Sequence, residues 1–145
     1  MRKINYIVVH CSATREGCTL TSEVLEAEHR RRGFRTTGYH YYIRRDGTVL
    51  GTRSLELPGA HCRGHNKYSI GICYEGGLDA RGNPKDTRTP EQRSALHLLV
   101  YQLLQQFRNA RVCGHRDLSP DLDGDGTVEP WEWVKQCPCL SLIHI

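Results

Sequence analysis

The sequence of 145 residues contains no long apolar run, and its mean hydropathy is −0.56. This absence excludes a membrane-spanning class. Hydrophobic residues at 38% and charged residues at 25% exclude disordered and collagen-like chains. No internal repeat, linker or low-complexity segment divides the chain, whose length is that of one domain. We therefore expect a single globular domain over residues 1–145.

A strong excess of either charge is also missing. Lys and Arg number 20 and Asp and Glu number 16, which gives a net charge of +4. This excess is too small to argue for nucleic acid, although it suits an anionic partner such as cell wall. The one basic cluster, residues 30–32 with Arg35, has the composition of a solvated helix face. Nucleic-acid binding through it is a weaker hypothesis, which predicts strongly salt-dependent DNA affinity.

No secretion signal is visible, because the apolar run at residues 4–9 is short, is interrupted by Asn5 and ends in His10 and Cys11. The seven cysteines are an odd number, whereas a secreted disulfide scaffold more often has an even number in a shorter chain. We expect synthesis in a reducing cytoplasm with mostly free thiols. One or two of these thiols are candidate metal ligands.

Apolar periodicity and turn signals predict alternating strands and helices. Strands are expected at residues 4–10, 39–45, 48–51, 69–74 and 111–114, and helices at residues 21–32 and 89–107. Asp46-Gly47 marks a hairpin, and Thr89 with Gln92 forms a capping box ahead of the most amphipathic segment. The order implies an α/β domain with a mixed central β-sheet and packed α-helices.

Histidine and cysteine supply the nitrogen and sulfur donors that zinc prefers, and a catalytic zinc site leaves one position open. His10 ends the first predicted strand, and His115 follows a short strand closed by Gly114. Both are therefore expected in a crevice at strand ends, where sites usually form. From the residues alone, packed or solvated side chains are the favoured explanation of these positions. The other candidate donors are the thiols and the histidines at 29, 40, 61, 65, 97 and 144.

Seven short blocks follow one another along the chain. They are Val9-His10-Cys11-Ser12-Ala13-Thr14, Gly38-Tyr39-His40-Tyr41, Arg45-Asp46-Gly47-Thr48-Val49, residues 61–66, Ser69-Ile70-Gly71-Ile72-Cys73, Gly114-His115-Arg116-Asp117 and Lys135-Gln136-Cys137-Pro138. Together they resemble the type 2 N-acetylmuramoyl-L-alanine amidases, which include small bacteriophage amidases and the peptidoglycan recognition proteins. The resemblance covers residues 4–140. The tail at residues 140–145 departs from the family pattern, which suggests a truncated or unnatural end.

The resemblance implies an amidase fold with a zinc ion held by His10, His115 and Cys137. Zinc lowers the pKa of bound water to about 7, which provides the nucleophile that amide hydrolysis needs. Of the other histidines, His29 is expected to be structural, His40 to pack in the core or behind the ligands, and His97 to be half-exposed on the long helix.

The resemblance also implies roles for four further residues. Tyr39 and Lys135 resemble the catalytic tyrosine and lysine, and His61 and Asn66 resemble groove residues that contact substrate. A cationic Lys135 suits the oxyanion of the tetrahedral intermediate, and Tyr39 can donate a hydrogen bond to it. Without the family blocks, Tyr39 reads as a packed strand aromatic and Lys135 as a solvated lysine.

The function implied is hydrolysis of the amide between N-acetylmuramic acid and L-alanine in peptidoglycan. The alternative is a module that binds peptidoglycan without cutting it, as in relatives that lack the cysteine ligand; the presence of Cys137 favours catalysis. Peptidoglycan is the expected partner of a monomer, without nucleic acid or membrane. The sequence leaves open a lysin, an autolysin or a recycling enzyme, and we expect a lysin released through a partner pore.

An acidic segment at residues 121–132 matches the calcium-loop pattern D-x-[DN]-x-[DN]-G-x5-E. The expected ligands are Asp121, Asp123, Asp125, the carbonyl of Thr127, and Glu132, with Glu129 at the ninth position. Pro130 would open an exiting helix that places Glu132 one turn before Lys135. No entering helix precedes the loop, so a solvated acidic turn is the competing interpretation.

Overall fold

The computed structural model describes residues 2–140, so the predictions for the tail at 141–145 and for His144 lie outside the described residues. In chain order the elements are β1 (Tyr6–Cys11), β2 (Thr14–Arg15), α1 (Ser22–Arg31), β3 (Tyr41–Ile43), β4 (Val49–Gly51), β5 (Ser69–Tyr74), β6 (Gly77–Leu78), α2 (Pro90–Gln106) and β7 (Arg111–Gly114). Single 3-10 turns lie at Asn66–Tyr68, His115–Leu118 and Pro130–Glu132.

Five strands form one mixed sheet in the order β4-β3-β5-β1-β7, which confirms the predicted α/β architecture. β1 pairs in parallel with β5 and β7, and β3 pairs in parallel with β5. The β3–β4 pair is antiparallel and is closed by the predicted hairpin, in which Gly47 has φ +88°. β3 is shorter than the predicted strand 39–45, and its pairing with both β4 and β5 is confined to Tyr41–Ile43.

The two helices cover opposite faces of the sheet. The connection through α1 runs from β1 to β3, and the connection through α2 runs in the opposite direction, from β5 to β7. Since such crossovers are right-handed, opposite directions place the helices on opposite faces. One core cluster joins Leu96 and Leu103 of α2 to alternate strand residues, including Ile7, Val9, Ile70 and Ile72. The other joins Leu25 of α1 to Tyr42 and Cys73.

Within residues 2–140, neither helix combines the length and the apolar character that crossing a bilayer requires.

The predicted capping box of α2 also ties the helix to the sheet. Thr89 Oγ1 accepts from the backbone N of Gln92 at 3.1 Å, and Gln92 Oε1 accepts from the backbone N of Thr89 at 3.0 Å. Gln92 is fully buried, and its Nε2 donates to the carbonyls of Ile43 and Glu75 at 3.2 and 2.9 Å. These carbonyls lie at the ends of β3 and β5, so the cap orients α2 on the sheet.

The predicted helix leaving the acidic loop is wrong. The structure has a single 3-10 turn over Pro130–Glu132 in its place, and residues 133–136 are not helical. The backbone N of Val134, which an α-helix would direct to the carbonyl of Pro130, donates instead to Ser119 Oγ at 3.0 Å. Pro138 further disfavours helix at the residue before it. Glu132 is therefore not one helical turn before Lys135.

Candidate metal centre and cleft

Parallel pairing of β1 with β7 brings two histidines to the same edge of the sheet. Val9 pairs with Gly114, so His10 and His115 follow at neighbouring positions, with ring centroids 4.7 Å apart. His10 lies on the α1 face, opposite to the alternate β1 residues that pack on α2. Carboxyl ends of parallel strands are where ligands of such sheets bind.

The third candidate ligand comes from a segment that folds back onto these strand ends. The backbone N of Arg116 donates to the carbonyl of Cys137 at 2.8 Å, and the backbone N of Cys11 donates to Cys137 Sγ at 3.3 Å. Gly114 permits this approach, because a Cβ there would lie 2.5 Å from Pro138 Cδ. The segment is thus held against both β1 and β7.

The three predicted ligands converge. One donor atom from each of His10, His115 and Cys137 lies within 4.8 Å of the others. His10 Nδ1 is 3.8 Å from Cys137 Sγ. A tetrahedral zinc ion with Zn–N of about 2.05 Å and Zn–S of about 2.3 Å separates the two donors by about 3.6 Å. The spacing and the donor set of two imidazoles and one thiol fit zinc.

Both histidines are in the charge state that a metal requires. Burial lowers the pKa of His10 well below its ordinary value, and the neighbouring His61, His115 and Lys135 lower it further. Burial, with the charge of Lys135, lowers the pKa of His115 to about 4. Both imidazoles are therefore neutral at pH 7, and each keeps a free lone pair.

Tyr39 and Lys135 lie beside the converging ligands. The Tyr39 ring is 5.0 Å from the His10 ring, and burial raises the pKa of its hydroxyl well above the ordinary value. The hydroxyl is thus a protonated hydrogen-bond donor at neutral pH. Lys135 is exposed and lies at the mouth of the site.

A continuous cleft passes over the site. His10, Tyr39 and Cys137 line a cavity of about 450 Å³. An adjoining cavity of about 750 Å³ is lined in part by His61, His115 and Lys135, which also line the first cavity. Arg32 lines both cavities, although the sequence placed it on a solvated helix face. We call the two cavities together the cleft.

His61 and Asn66 are both on the cleft wall, where Asn66 Oδ1 and both ring nitrogens of His61 contact other protein atoms. Asn66 Oδ1 accepts from the backbone N of His61 and of Cys62, both at 2.9 Å. His61 Nδ1 lies 2.8 Å from His10 Nε2, and His61 Nε2 lies 3.1 Å from Ser69 Oγ. Sequence reasoning missed the His61–His10 contact and Ser69, because no local pattern links residues 51 positions apart.

His29 and His40 take structural positions, as expected. His29 Nδ1 accepts from the backbone N of Gly38 at 2.7 Å, and His40 Nδ1 accepts from that of Gly71 at 3.0 Å. Cys11 belongs to the core cluster on the α2 face, and its Sγ is 3.8 Å from Cys139 Sγ.

The acidic loop brings its carboxylates into two groups. Oxygens of Asp121, Asp123 and Glu132 lie within 4.8 Å of one another, as do oxygens of Asp123, Asp125 and Glu129. Backbone N–H groups satisfy several of them: Glu132 Oε1 accepts from Leu122, Asp121 from Gly124 and Gly126, and Asp125 from Thr127. A hydrogen bond shared with Glu132, and the nearby Asp125, raise the pKa of Glu129 to about 7.

Acid is expected to destabilise the metal-free protein. Burial lowers the pKa of His40 to about 4, that of His61 to about 3 and that of His10 well below 6.5. Below pH 6.5 the unfolded chain therefore binds more protons than the folded one, and each histidine removes up to about 1.4 kcal/mol of stability per pH unit. We expect the Tm in chelator to fall by about 10 °C from pH 7 to pH 5.5.

Glu129 has the opposite effect on the stability of the folded state. Because its pKa is raised, the folded chain binds more protons than the unfolded chain as the pH falls below 7, and stability rises. Glu129→Gln removes this opposing contribution and is expected to steepen the fall in Tm. A Tm that stays constant or rises between pH 7 and pH 5.5 would contradict the prediction.

Comparison with known proteins identifies relatives over nearly the whole chain. The family model for N-acetylmuramoyl-L-alanine amidase matches residues 1–138. An endolysin of Klebsiella phage KP32 is 37% identical over 134 residues, which are 92% of this chain and 88% of that protein. The endolysin amidase LysCS from Clostridium intestinale URNW superimposes with a TM-score of 0.73 at 27% identity, over 94% of this chain and 76% of that one. Bumblebee PGRP-SA, at 22% identity and a TM-score of 0.73 over 95% and 77% of the two chains, shares the fold.

Proposed function

Because the chain belongs to the N-acetylmuramoyl-L-alanine amidase family, we propose that it hydrolyses peptidoglycan at a zinc centre formed by His10, His115 and Cys137. The bond cleaved is the amide between N-acetylmuramic acid and L-alanine. The observation that carries the zinc proposal is the convergence of two neutral imidazoles and one thiol at the floor of the cleft. Zinc, when bound, supplies an activated water nucleophile and a Lewis acid.

Lys135 and Tyr39 are proposed as the catalytic side chains. Lys135 is a cation at the mouth of the site, where it stabilises the oxyanion that develops during attack on the amide. The protonated Tyr39 hydroxyl donates a hydrogen bond to the same developing charge or orients the attacking water. Both interactions strengthen as charge develops, so they act on the rate rather than on ground-state binding.

His61 and Asn66 shape the wall of the cleft that receives the substrate. The Asn66 carboxamide holds the loop carrying His61 through two backbone hydrogen bonds of 2.9 Å. We propose that residues 1–145 form one amidase domain that acts as a monomer on peptidoglycan, with neither nucleic acid nor membrane as a partner. Its phage endolysin relatives support action on the cell wall, and we propose that it is a lysin reaching the wall through a partner pore.

Product analysis tests the activity. Mass spectrometry of purified peptidoglycan after digestion is expected to show free stem peptides with new L-alanine amino termini and intact glycan strands. A chelator is expected to abolish their release, and added zinc is expected to restore it. Binding to cell walls in a pull-down without new L-alanine termini would instead support the binding-module alternative.

Calcium is proposed as a second ion, in the loop at residues 121–132. The loop matches a twelve-residue calcium pattern, and its oxygens from Asp121, Asp123 and Glu132 lie within 4.8 Å of one another. Calcium there would offset the repulsion between five carboxylates and brace the segment that leads to Cys137.

A calcium titration of the zinc-saturated protein tests this second site. At ten times the Kd, binding stabilises by about 1.4 kcal/mol, which raises the Tm by about 3–6 °C. Asp123→Asn is expected to abolish the rise. The matched control Asp79→Asn, in a different turn, is expected to keep it, because Asp79 accepts from the backbone N of Arg81 and of Asn83 in its own loop. An unchanged Tm in the parent protein would count against calcium.

A further inference from the structure

We propose that His61 is a positioning residue that holds His10 in the one tautomer able to bind the metal ion. This inference rests on the zinc centre proposed above. His61 would thus fix the protonated nitrogen of His10 in addition to lining the cleft wall.

Hydrogen bonding decides which nitrogen of His10 carries the proton. His10 Nδ1 faces Cys137 Sγ at 3.8 Å, so Nδ1 must offer its lone pair to an ion bound there. A neutral imidazole has one N–H, which must then be on Nε2. His10 Nε2 lies 2.8 Å from His61 Nδ1, and His61 Nδ1 is therefore the acceptor.

The same reasoning assigns the tautomer of His61. Because its Nδ1 accepts from His10, its own proton is on Nε2, which donates to Ser69 Oγ at 3.1 Å. The three side chains thus form a directed relay from His10 through His61 to Ser69. Their exposed fractions are 1%, 8% and 0%, so bulk water does not compete for these hydrogen bonds.

Two glycines form a slot for the His61 ring. A Cβ at Gly59 would lie 2.4 Å from His61 Cδ2, and a Cβ at Gly71 would lie 2.7 Å from His61 Cγ. The backbone N of His61 is anchored by Asn66 Oδ1 at 2.9 Å. The ring therefore sits in one orientation with its Nδ1 directed at His10, which is the arrangement expected of a group that orients a ligand.

Two replacements of His61 test the inference. His61→Leu removes the acceptor at similar volume, and His61→Asn retains a carboxamide oxygen close to the position of Nδ1. The control is His65→Leu, because the His65 ring packs edge-on against Tyr6 at 5.8 Å. Zinc affinity is measured by competition with a chromophoric chelator. The His10 tautomer is read in the metal-free protein at pH 8 from the ¹⁵N chemical shifts of its ring.

In the parent protein we expect His10 to carry its proton on Nε2. His61→Leu is expected to mix the two tautomers and to weaken zinc binding about 10- to 100-fold. His61→Asn and His65→Leu are expected to bind zinc nearly as tightly as the parent. If His61→Leu does not fold, the parent tautomer and the affinity of His61→Asn decide the question.

Two results would overturn the inference alone: a parent protein that binds zinc with its His10 proton on Nδ1, or undiminished affinity in His61→Leu. A parent protein that binds no zinc would overturn the metal centre itself, and this inference with it. The two failures are thereby distinguishable.

Discussion

Cys137→Ala is expected to lose peptidoglycan hydrolysis by at least about 10³-fold, because removal of one of three ligands costs several kcal/mol of metal-dependent stabilisation. Cys137 Sγ is 3.8 Å from His10 Nδ1 and is the single sulfur in the group that it forms with His10 and His115. Clearing of cell-wall suspensions measures the loss, and metal analysis of the purified variant checks that bound zinc falls with it.

Cys139→Ala is the matched control for Cys137→Ala. Cys139 is a cysteine only two residues away, but its Sγ faces Cys11 Sγ at 3.8 Å. It is expected to retain zinc and most of the activity. Both variants are expected to bind peptidoglycan in a pull-down, because the rest of the cleft wall is unchanged. Full clearing by a metal-checked Cys137→Ala protein would refute the ligand assignment.

Lys135→Met is expected to lower kcat about 10²- to 10³-fold with a small change in KM. Methionine keeps the length of the side chain and removes its charge. A group that stabilises charge mainly in the transition state affects kcat more than it affects substrate binding. Loss of one such donor typically lowers kcat by about 10²- to 10³-fold. Initial rates of amide hydrolysis on a soluble muropeptide separate the two constants.

The control for Lys135→Met is Lys3→Met, at an exposed lysine away from the cleft. It is expected to leave kcat and KM unchanged. If Lys135→Met raises KM while kcat stays constant, Lys135 binds substrate and does not stabilise the transition state. Equal effects of the two replacements would indicate a general dependence on net charge.

Local sequence features predicted much of the fold. Strands β5 and β7 begin and end where the apolar runs at 69–74 and 111–114 begin and end. Thr89 and Gln92 form the capping box that their spacing predicts. These features depend on contacts within a few residues, which the sequence displays directly. The helix predicted after the acidic loop does not form, because the backbone N of Val134 donates to Ser119 Oγ instead of to a helix carbonyl. Ser119 lies 15 residues before Val134, so no local pattern indicates this contact.

For the site, residue types and their places along the chain are enough to identify the donors: His10 and His115 at predicted strand ends, and Cys137 in a block resembling the amidase family. The fold brings these donors together and directs His10 Nδ1, not Nε2, at Cys137. It also places His61 behind His10, in a slot between Gly59 and Gly71. Residue types and short-range propensities are local properties, whereas the orientation of the His10 ring depends on a hydrogen bond to His61, which is 51 residues away in the chain.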